Sequence, residues 1–208
     1  MLKGELFNQE MVQAYLEKRK LHTCRPLPKD AEVHECTDGI MVTRPKKYPG
    51  EYCRFAPLEP KFHPGDYMYV RETWTCMRDI KTGRCDYFYA ANKKDYDTVS
   101  TTYLCDGDGF ETDKPFPWKP SIHMPKAIAR LFFQVTKVEV MRLEDVTEQF
   151  AQEDGFQNDP HCTAKAKFIG FWMDTYGEDV RWMWVYWTDP CSREEAMADG
   201  GTNNTFSG

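Results

Sequence analysis

Apolar residues recur at helical spacing in three segments of the chain, and each segment begins with a polar residue suited to start a helix. The first helix is predicted at Gln9–Arg19, with the Asn8 side chain as its N-cap. Two more are predicted within Thr147–Gly155 and Thr163–Gly177, because a threonine at the start and a glycine at the end are typical of helix boundaries.

Other segments have the alternating or continuous apolar runs of β-strands. Tyr67–Thr73 follows a Pro-Gly-Asp turn, and Arg181–Thr188 carries three tryptophans and a tyrosine. Ala129–Leu143 has the strongest strand pattern, but its apolar phase shifts near Thr136. This shift predicts either a bulge or two strands meeting there. A short hairpin is predicted within residues 31–44.

The spacing of these elements predicts one domain over residues 1–188. Residues 79–117 are too long for a simple connection and are predicted to be an insertion with its own β structure. Within it, Cys85–Ala90 has a strand pattern and Asn92–Asp97 a loop pattern. Residues 189–208 are polar and rich in glycine and asparagine, which predicts a flexible tail.

Composition limits the classes of partner. The 208 residues have a formal net charge of -6, whereas a protein that coats long nucleic acid is usually basic, so we expect a local basic pocket instead. The chain has no apolar run of the roughly 18 residues needed to cross a bilayer and no signal-peptide pattern, so we expect a cytoplasmic protein without membrane contact. Its eight cysteines are then expected to be reduced thiols.

Three blocks carry the strongest functional signal: Lys20–Arg25, Pro64–Trp74, and Trp118–Pro125 continuing to Glu153–Phe156. In this order, and with these turn signals, they resemble the ASCH family, a branch of the PUA-like barrels that handle RNA or modified nucleosides. The likeness is greatest to the form found in phage genomes. It implies an α+β fold, a PUA-like mixed β-barrel with flanking helices and an inserted subdomain. For a phage-encoded protein it also implies the host cytoplasm.

The resemblance also implies a catalytic set. In the related bacterial N4-acetylcytidine amidohydrolases, a lysine, a threonine and a glutamate are the proposed catalytic residues, and Lys20, Thr23 and Asp154 stand at the matching positions here. A desolvated lysine can act as a base, a threonine hydroxyl can attack an amide carbonyl, and a carboxylate can orient the lysine. The structural alternative is a lysine that ends a helix and complements its dipole.

This sequence departs from the family pattern at three positions, one of them in the catalytic set. Asp154 replaces a glutamate and is one methylene shorter, while Lys18 and Leu21 replace a glycine and a threonine. A positioned group can lose much of its effect with such a loss of reach. Hydrolysis of a non-peptide C–N bond in an acylated nucleobase and noncatalytic binding of RNA or a modified nucleotide therefore both stay open.

Seven further residues are predicted to contact the ligand. Arg71 and Glu72 lie on opposite faces of one predicted strand, and a charged side chain that points inward must be paired, either in a structural salt bridge or with a ligand. The Pro-bounded loop around His123 can hold a phosphate or a base edge, or it can be a solvated connection. The predicted ligand-binding residues are Arg25, Arg71, Glu72, Trp74, Ser121, His123 and Lys126.

No metal or cofactor is predicted. The close pairs His22 and Cys24, His34 and Cys36, and His161 and Cys162 suggest zinc, but none has the Cys-x-x-Cys spacing typical of zinc knuckles. The chain also has no phosphate-binding loop and no dinucleotide fingerprint. The expected partner is a nucleoside, a nucleotide or RNA. A protein-interaction factor that acts on a host system is a further alternative, and the oligomeric state stays open.

Overall fold

The chain folds into two compact units, each built from separate stretches of sequence. The structure is a computed structural model that describes residues 1–36, 39–46, 54–78, 82–101, 103–105 and 111–199. Unit 1 comprises Met1–Lys18, Tyr67–Gln134 and Pro190–Gly208, and unit 2 comprises Arg19–Asp66 and Val135–Asp189.

Strands outnumber helices among the described residues. The strands are β1 (Leu2–Leu6), β2 (His22–Pro26), β3 (Glu32–Cys36), β4 (Gly39–Lys46), β5 (Arg54–Pro57), β6 (Tyr67–Arg71), β7 (Trp74–Arg78), β8 (Cys85–Tyr89), β9 (Tyr103–Cys105), β10 (Glu111–Pro115), β11 (Phe132–Arg142) and β12 (Trp182–Cys191). The α-helices are α1 (Gln9–Leu16), α2 (Lys93–Ser100), α3 (Glu148–Glu153), α4 (Ala164–Tyr176) and α5 (Arg193–Asp199). None of these helices is long and apolar enough to cross a membrane.

The largest sheet is mixed, which confirms the predicted α+β class. Its five strands follow the order β1-β6-β11-β12-β2. Strand β1 is parallel to β6, whereas the pairs β6 with β11 and β12 with β2 are antiparallel. The described residues form no closed barrel.

Strand β11 belongs to both units. Its first part, Phe132–Gln134, pairs with β6 in unit 1, and the strand then continues without interruption through Thr136 in unit 2. The predicted alternative of two separate strands is therefore wrong. The shift in apolar phase coincides with the passage of the strand from one unit to the other, where its side chains meet different surroundings.

The predicted helix caps are confirmed. Asn8 accepts a hydrogen bond from the amide of Met11, Thr147 from the amide of Phe150, and Thr163 from the amide of Ala166. These bonds satisfy amides that have no partner within their own helix.

Helix α1 ends at Leu16, three residues earlier than predicted. Lys18 then takes a left-handed backbone conformation with a φ of 58°. This conformation suits glycine and costs about 1 kcal/mol for other residues.

Unit 1 differs from the prediction at Asn92–Asp97. This segment is not a loop, because Lys93–Ser100 forms helix α2 with Asn92 as its N-cap. Asparagine favours turns and N-caps alike, and the burial of Val99 favours the helix. Strand β12 extends beyond Thr188 to Cys191, and α5 follows it within the predicted tail. Residues 200–208 lie outside the described part of the chain.

The second unit contains the predicted hairpin and the helices α3 and α4. Strands β3 and β4 pair antiparallel, which confirms the hairpin within residues 31–44, and β5 continues this small sheet. Helices α3 and α4 pack around Phe168 and Trp172, whose rings stack at 5.9 Å. The indole of Trp172 donates to the carbonyl of Val180 at 2.8 Å, so the burial of this large side chain leaves its N–H paired.

A buried ion pair joins two segments of unit 1. Both carboxylate oxygens of Glu72 accept from the guanidinium of Arg130, each at 2.9 Å. The side chain of Glu72 is 2% exposed and that of Arg130 is 24% exposed. A carboxylate this deeply buried needs a charged partner, and the two parallel hydrogen bonds provide one with good geometry.

We expect Glu72→Ala to lower the free energy of unfolding by about 3 kcal/mol, because it leaves a partly buried guanidinium unpaired. Urea denaturation measures the change. The matched control is Asp86→Ala, which breaks a pair between side chains that are 80% and 62% exposed and should cost less than about 1 kcal/mol. Equal losses for the two variants would contradict the prediction.

Candidate functional site

The alternation of side chains along strand β2 determines which of them lie on the same face. Successive side chains of a strand point to opposite faces. His22 and Cys24 therefore share one face of β2, while Thr23 and Arg25 share the other. His22, Thr23 and Cys24 are all buried, so both faces of the strand are covered here.

The carboxyl end of helix α3 lies directly against the start of β2. The amide of Leu21 donates to the carbonyl of Glu153 at 2.7 Å. The last carbonyls of a helix carry partial negative charge and favour a nearby cation. Asp154, the C-cap residue of α3, is thereby brought to Lys20, although the two are 134 positions apart in sequence.

One carboxylate oxygen is the meeting point of three side chains. Lys20 Nζ donates to Asp154 Oδ1 and to the main-chain carbonyl of Asp154, both at 2.8 Å. His22 Nε2 lies 3.6 Å and Cys24 Sγ 3.8 Å from the same Oδ1 atom. Lys20, His22, Cys24 and Asp154 form what we term the buried cluster, and no residue in it is more than 6% exposed.

Burial controls the protonation of the buried cluster. It lowers the pKa of Lys20 and raises the pKa of Asp154, and the charge of each partner offsets part of the other's shift. It also raises the pKa of the Cys24 thiol well above its usual range, and the Asp154 charge adds to this effect. Burial, followed by the charge of Lys20, lowers the pKa of His22 to about 3, so its imidazole is neutral near pH 7.

Thr23, the predicted nucleophile, lies on the other face of β2. Its hydroxyl accepts a hydrogen bond from Arg25 at 3.0 Å, and the residue is 1% exposed. The same guanidinium nitrogen donates to the carbonyl of Cys24 at 2.7 Å. The structure thus joins Lys20 to Asp154, and it places Thr23 beside Arg25.

The other predicted ligand-binding residues lie in unit 1. Glu72 is held by Arg130, and Arg71 donates to the carbonyl of Ile122. Trp74 is 7% exposed, and the amine of Lys119 lies 4.7 Å from the centre of its ring. Of the loop residues, Ser121 is half-buried, whereas His123 and Lys126 are exposed.

His22 and Cys24 are the members of the buried cluster that the sequence analysis did not assign to the site. The sequence does indicate that they belong with Lys20. Lys20, His22 and Cys24 are alternate residues, and alternate residues of an extended chain lie on the same face. The sequence presents them only as a His and Cys pair. Their shared contact with Asp154 depends on how α3 packs against β2.

A shallow cleft of 420 Å³ lies beside the buried cluster in unit 2. Arg19 and Glu153, the chain neighbours of Lys20 and Asp154, are part of its wall, and Arg19 donates to the carbonyl of Gly155 at 2.5 Å. The cleft is lined by Arg19, Gln149, Gln152, Glu153, Phe156, Gln157 and Asn158. The members of the buried cluster themselves do not line it.

No family model, no curated protein and no solved structure matches the chain. The ASCH resemblance of the sequence blocks therefore stays a prediction.

We expect the buried pair to behave as a unit in a double-mutant cycle. Lys20→Met and Asp154→Leu should each lower the free energy of unfolding by about 3 kcal/mol, since each leaves a buried charge without its partner. The double variant should be at least as stable as either single variant, because it removes both desolvated charges. Urea denaturation measures all three.

The control for this cycle is Asp30→Ala, which breaks the exposed pair of Asp30 with Arg44 in the same unit. It should cost less than about 1 kcal/mol. Additive losses from Lys20→Met and Asp154→Leu would show that the two side chains are not coupled, contrary to the contact described above.

Proposed function

We propose that this protein binds a nucleoside, or a nucleotide within RNA, in the cleft of unit 2 without chemical turnover. The observation that carries the proposal is the chemistry of the lining. It combines side-chain amides, one guanidinium and one carboxylate with the ring of Phe156. Planar polar groups beside an aromatic ring are the groups that read and stack an unpaired base.

Each kind of group has a part in such binding. Glutamine and asparagine amides offer a donor and an acceptor side by side, which match the edge of a base. The ring of Phe156 packs edge-on against Phe168 at 5.5 Å, so its orientation is fixed by the core of the unit. A base stacked on such a ring gains about 1–3 kcal/mol.

The charges of the cleft favour a base over a phosphate. Arg19 and Glu153 are the charged residues of the lining, and their formal charges cancel. Phosphate binding needs an excess of positive charge and weakens steeply with salt. We therefore expect recognition through the base, with little dependence on ionic strength.

The ASCH resemblance supports the same class of ligand. The block Glu153–Phe156 supplies two residues of the cleft wall, and the block Lys20–Arg25 begins directly after Arg19. A PUA-like barrel as the underlying architecture belongs to this proposal, since it rests on the same sequence blocks.

Binding is tested by calorimetric titration with cytidine, N4-acetylcytidine and a short single-stranded RNA. Phe156→Leu removes the stacking surface but keeps an apolar side chain, and we expect it to weaken binding at least about tenfold. Gln149→Ala should also weaken binding. Raising the salt from low to physiological concentration should change the affinity little.

The chain provides a matched control for Gln149→Ala. Gln149 donates to Glu153 four residues later at 2.8 Å, and Gln13 donates to Glu17 with the same spacing and distance on α1, outside the cleft. Gln13→Ala should leave binding unchanged. The proposal fails if none of the three ligands binds, or if the Gln13 and Phe156 variants bind equally.

Amide hydrolysis is the second candidate function, and a specific contact favours it. Lys20 bonds Asp154 at 2.8 Å, and burial lowers the pKa of this lysine, as a general base requires. The same burial opposes it, because Lys20 is 4% and Thr23 is 1% exposed. A substrate would have to displace packed side chains to reach either group.

Incubation with N4-acetylcytidine separates the two functions. We expect the wild-type protein to bind this nucleoside without releasing acetate, because the amine and the hydroxyl are closed to solvent. Acetate release by the wild type that is lost in both Lys20→Ala and Thr23→Val would support the amidohydrolase instead. Circular dichroism of the two variants shows whether such a loss reflects unfolding.

A further inference from the structure

Three side chains of the buried cluster are metal-binding groups of three different kinds. They are the imidazole of His22, the thiol of Cys24 and the carboxylate of Asp154, and their donor atoms all lie within 4.8 Å of one another. Zn²⁺ binds this combination of nitrogen, sulfur and oxygen donors.

The surroundings of His22 point to a missing partner. Within the described part of the chain, neither ring nitrogen has a hydrogen-bond partner, although the residue is 0% exposed. The ring packs against Phe150 and Trp187, with centroid distances of 4.1 Å and 4.6 Å. These aromatic rings fix its orientation and offer no acceptor. Buried polar groups are nearly always partnered, and one that is not calls for a bound water or ion.

Two of the three separations within the cluster are close to the edges of a tetrahedral zinc centre. With usual zinc bond lengths, the edges of such a centre are about 3.4 Å between nitrogen and oxygen and about 3.6 Å between sulfur and oxygen. The observed separations from Asp154 Oδ1 are 3.6 Å for His22 Nε2 and 3.8 Å for Cys24 Sγ. A contraction of a few tenths of an ångström along these two edges would bring them to coordination geometry.

We propose that His22, Cys24 and Asp154 bind a zinc ion that ties β2 to the end of α3, with a water as the fourth ligand. Binding releases the proton of the Cys24 thiol to solvent, because zinc binds the thiolate. The three donors are buried and do not line the cleft, so a metal held by them would not meet a ligand bound there. The proposal does not rest on the binding function proposed above.

Lys20 competes with the metal for the same oxygen. Its ammonium lies 2.8 Å from Asp154 Oδ1, the position that a cation takes beside a buried carboxylate. Zinc at Asp154 Oδ1 would displace the ammonium from this oxygen, because two cations beside one buried oxygen repel each other strongly. Loss of the lysine charge should therefore strengthen metal binding.

The proposal is tested by titrating the full chain, first stripped with a chelator, with Co²⁺. The wild type should bind one equivalent and show a thiolate-to-cobalt charge-transfer band with the visible bands of a tetrahedral centre, and Zn²⁺ should abolish both. Cys24→Ser should lose the charge-transfer band and bind at least about tenfold more weakly. Lys20→Met should bind more tightly than the wild type.

Cys162→Ser is the control, since Cys162 is a partly exposed thiol next to His161 in the same unit. It should keep both the band and the affinity of the wild type. If Cys24→Ser does not fold, X-ray absorption of the zinc-loaded wild type replaces it and should show one sulfur among nitrogen and oxygen ligands. Absence of stoichiometric binding, a band retained in Cys24→Ser, or a shell of oxygens alone would overturn the proposal. Weaker binding by Lys20→Met would overturn the competition step.

Discussion

The contact between Lys20 and Asp154 is the interaction on which the rest of unit 2 depends. A carboxylate that is 5% exposed must be neutralised or bonded, and the Lys20 amine does both at 2.8 Å. The backbone bond from Leu21 to Glu153 holds the two segments at this distance. Because removing either charge leaves the other buried and unpaired, this pair favours the observed packing of α3 against β2.

The same turn of chain has an inner and an outer side. Asp154 points into the buried cluster, while its neighbours Glu153 and Phe156 face the cleft. The left-handed conformation of Gly155, with a φ of 104°, allows the chain to turn between them. The buried charge thereby sets the shape of the outer surface, since a shift of Asp154 would carry the cleft wall with it.

Local chemistry explains what the sequence predicts and what it misses. The caps at Thr147 and Thr163 depend on a side chain and an amide three residues away, so a short window contains the whole signal. Asn92 shows where a short window is not enough, because its side chain suits a turn and an N-cap equally. The burial of Val99, which favours a helix here, depends on the rest of the fold. The parity that separates Thr23 from Lys20 is present in the sequence. The sequence does not show that the buried cluster meets at Asp154, because this contact depends on packing between segments that are distant along the chain.

Burial gives a catalytic lysine one of the properties it needs and denies it the other. Removing Lys20 from water lowers its pKa and makes it a better base at neutral pH, yet the same removal denies it a substrate. Among natural active sites this conflict is resolved by a cleft that reaches the amine. Here Arg19 and Glu153 line the cleft, whereas their chain neighbours Lys20 and Asp154 do not. The proposed binding function needs this charge pair only to shape the cleft wall, whereas the alternative, hydrolysis, needs a substrate to reach it.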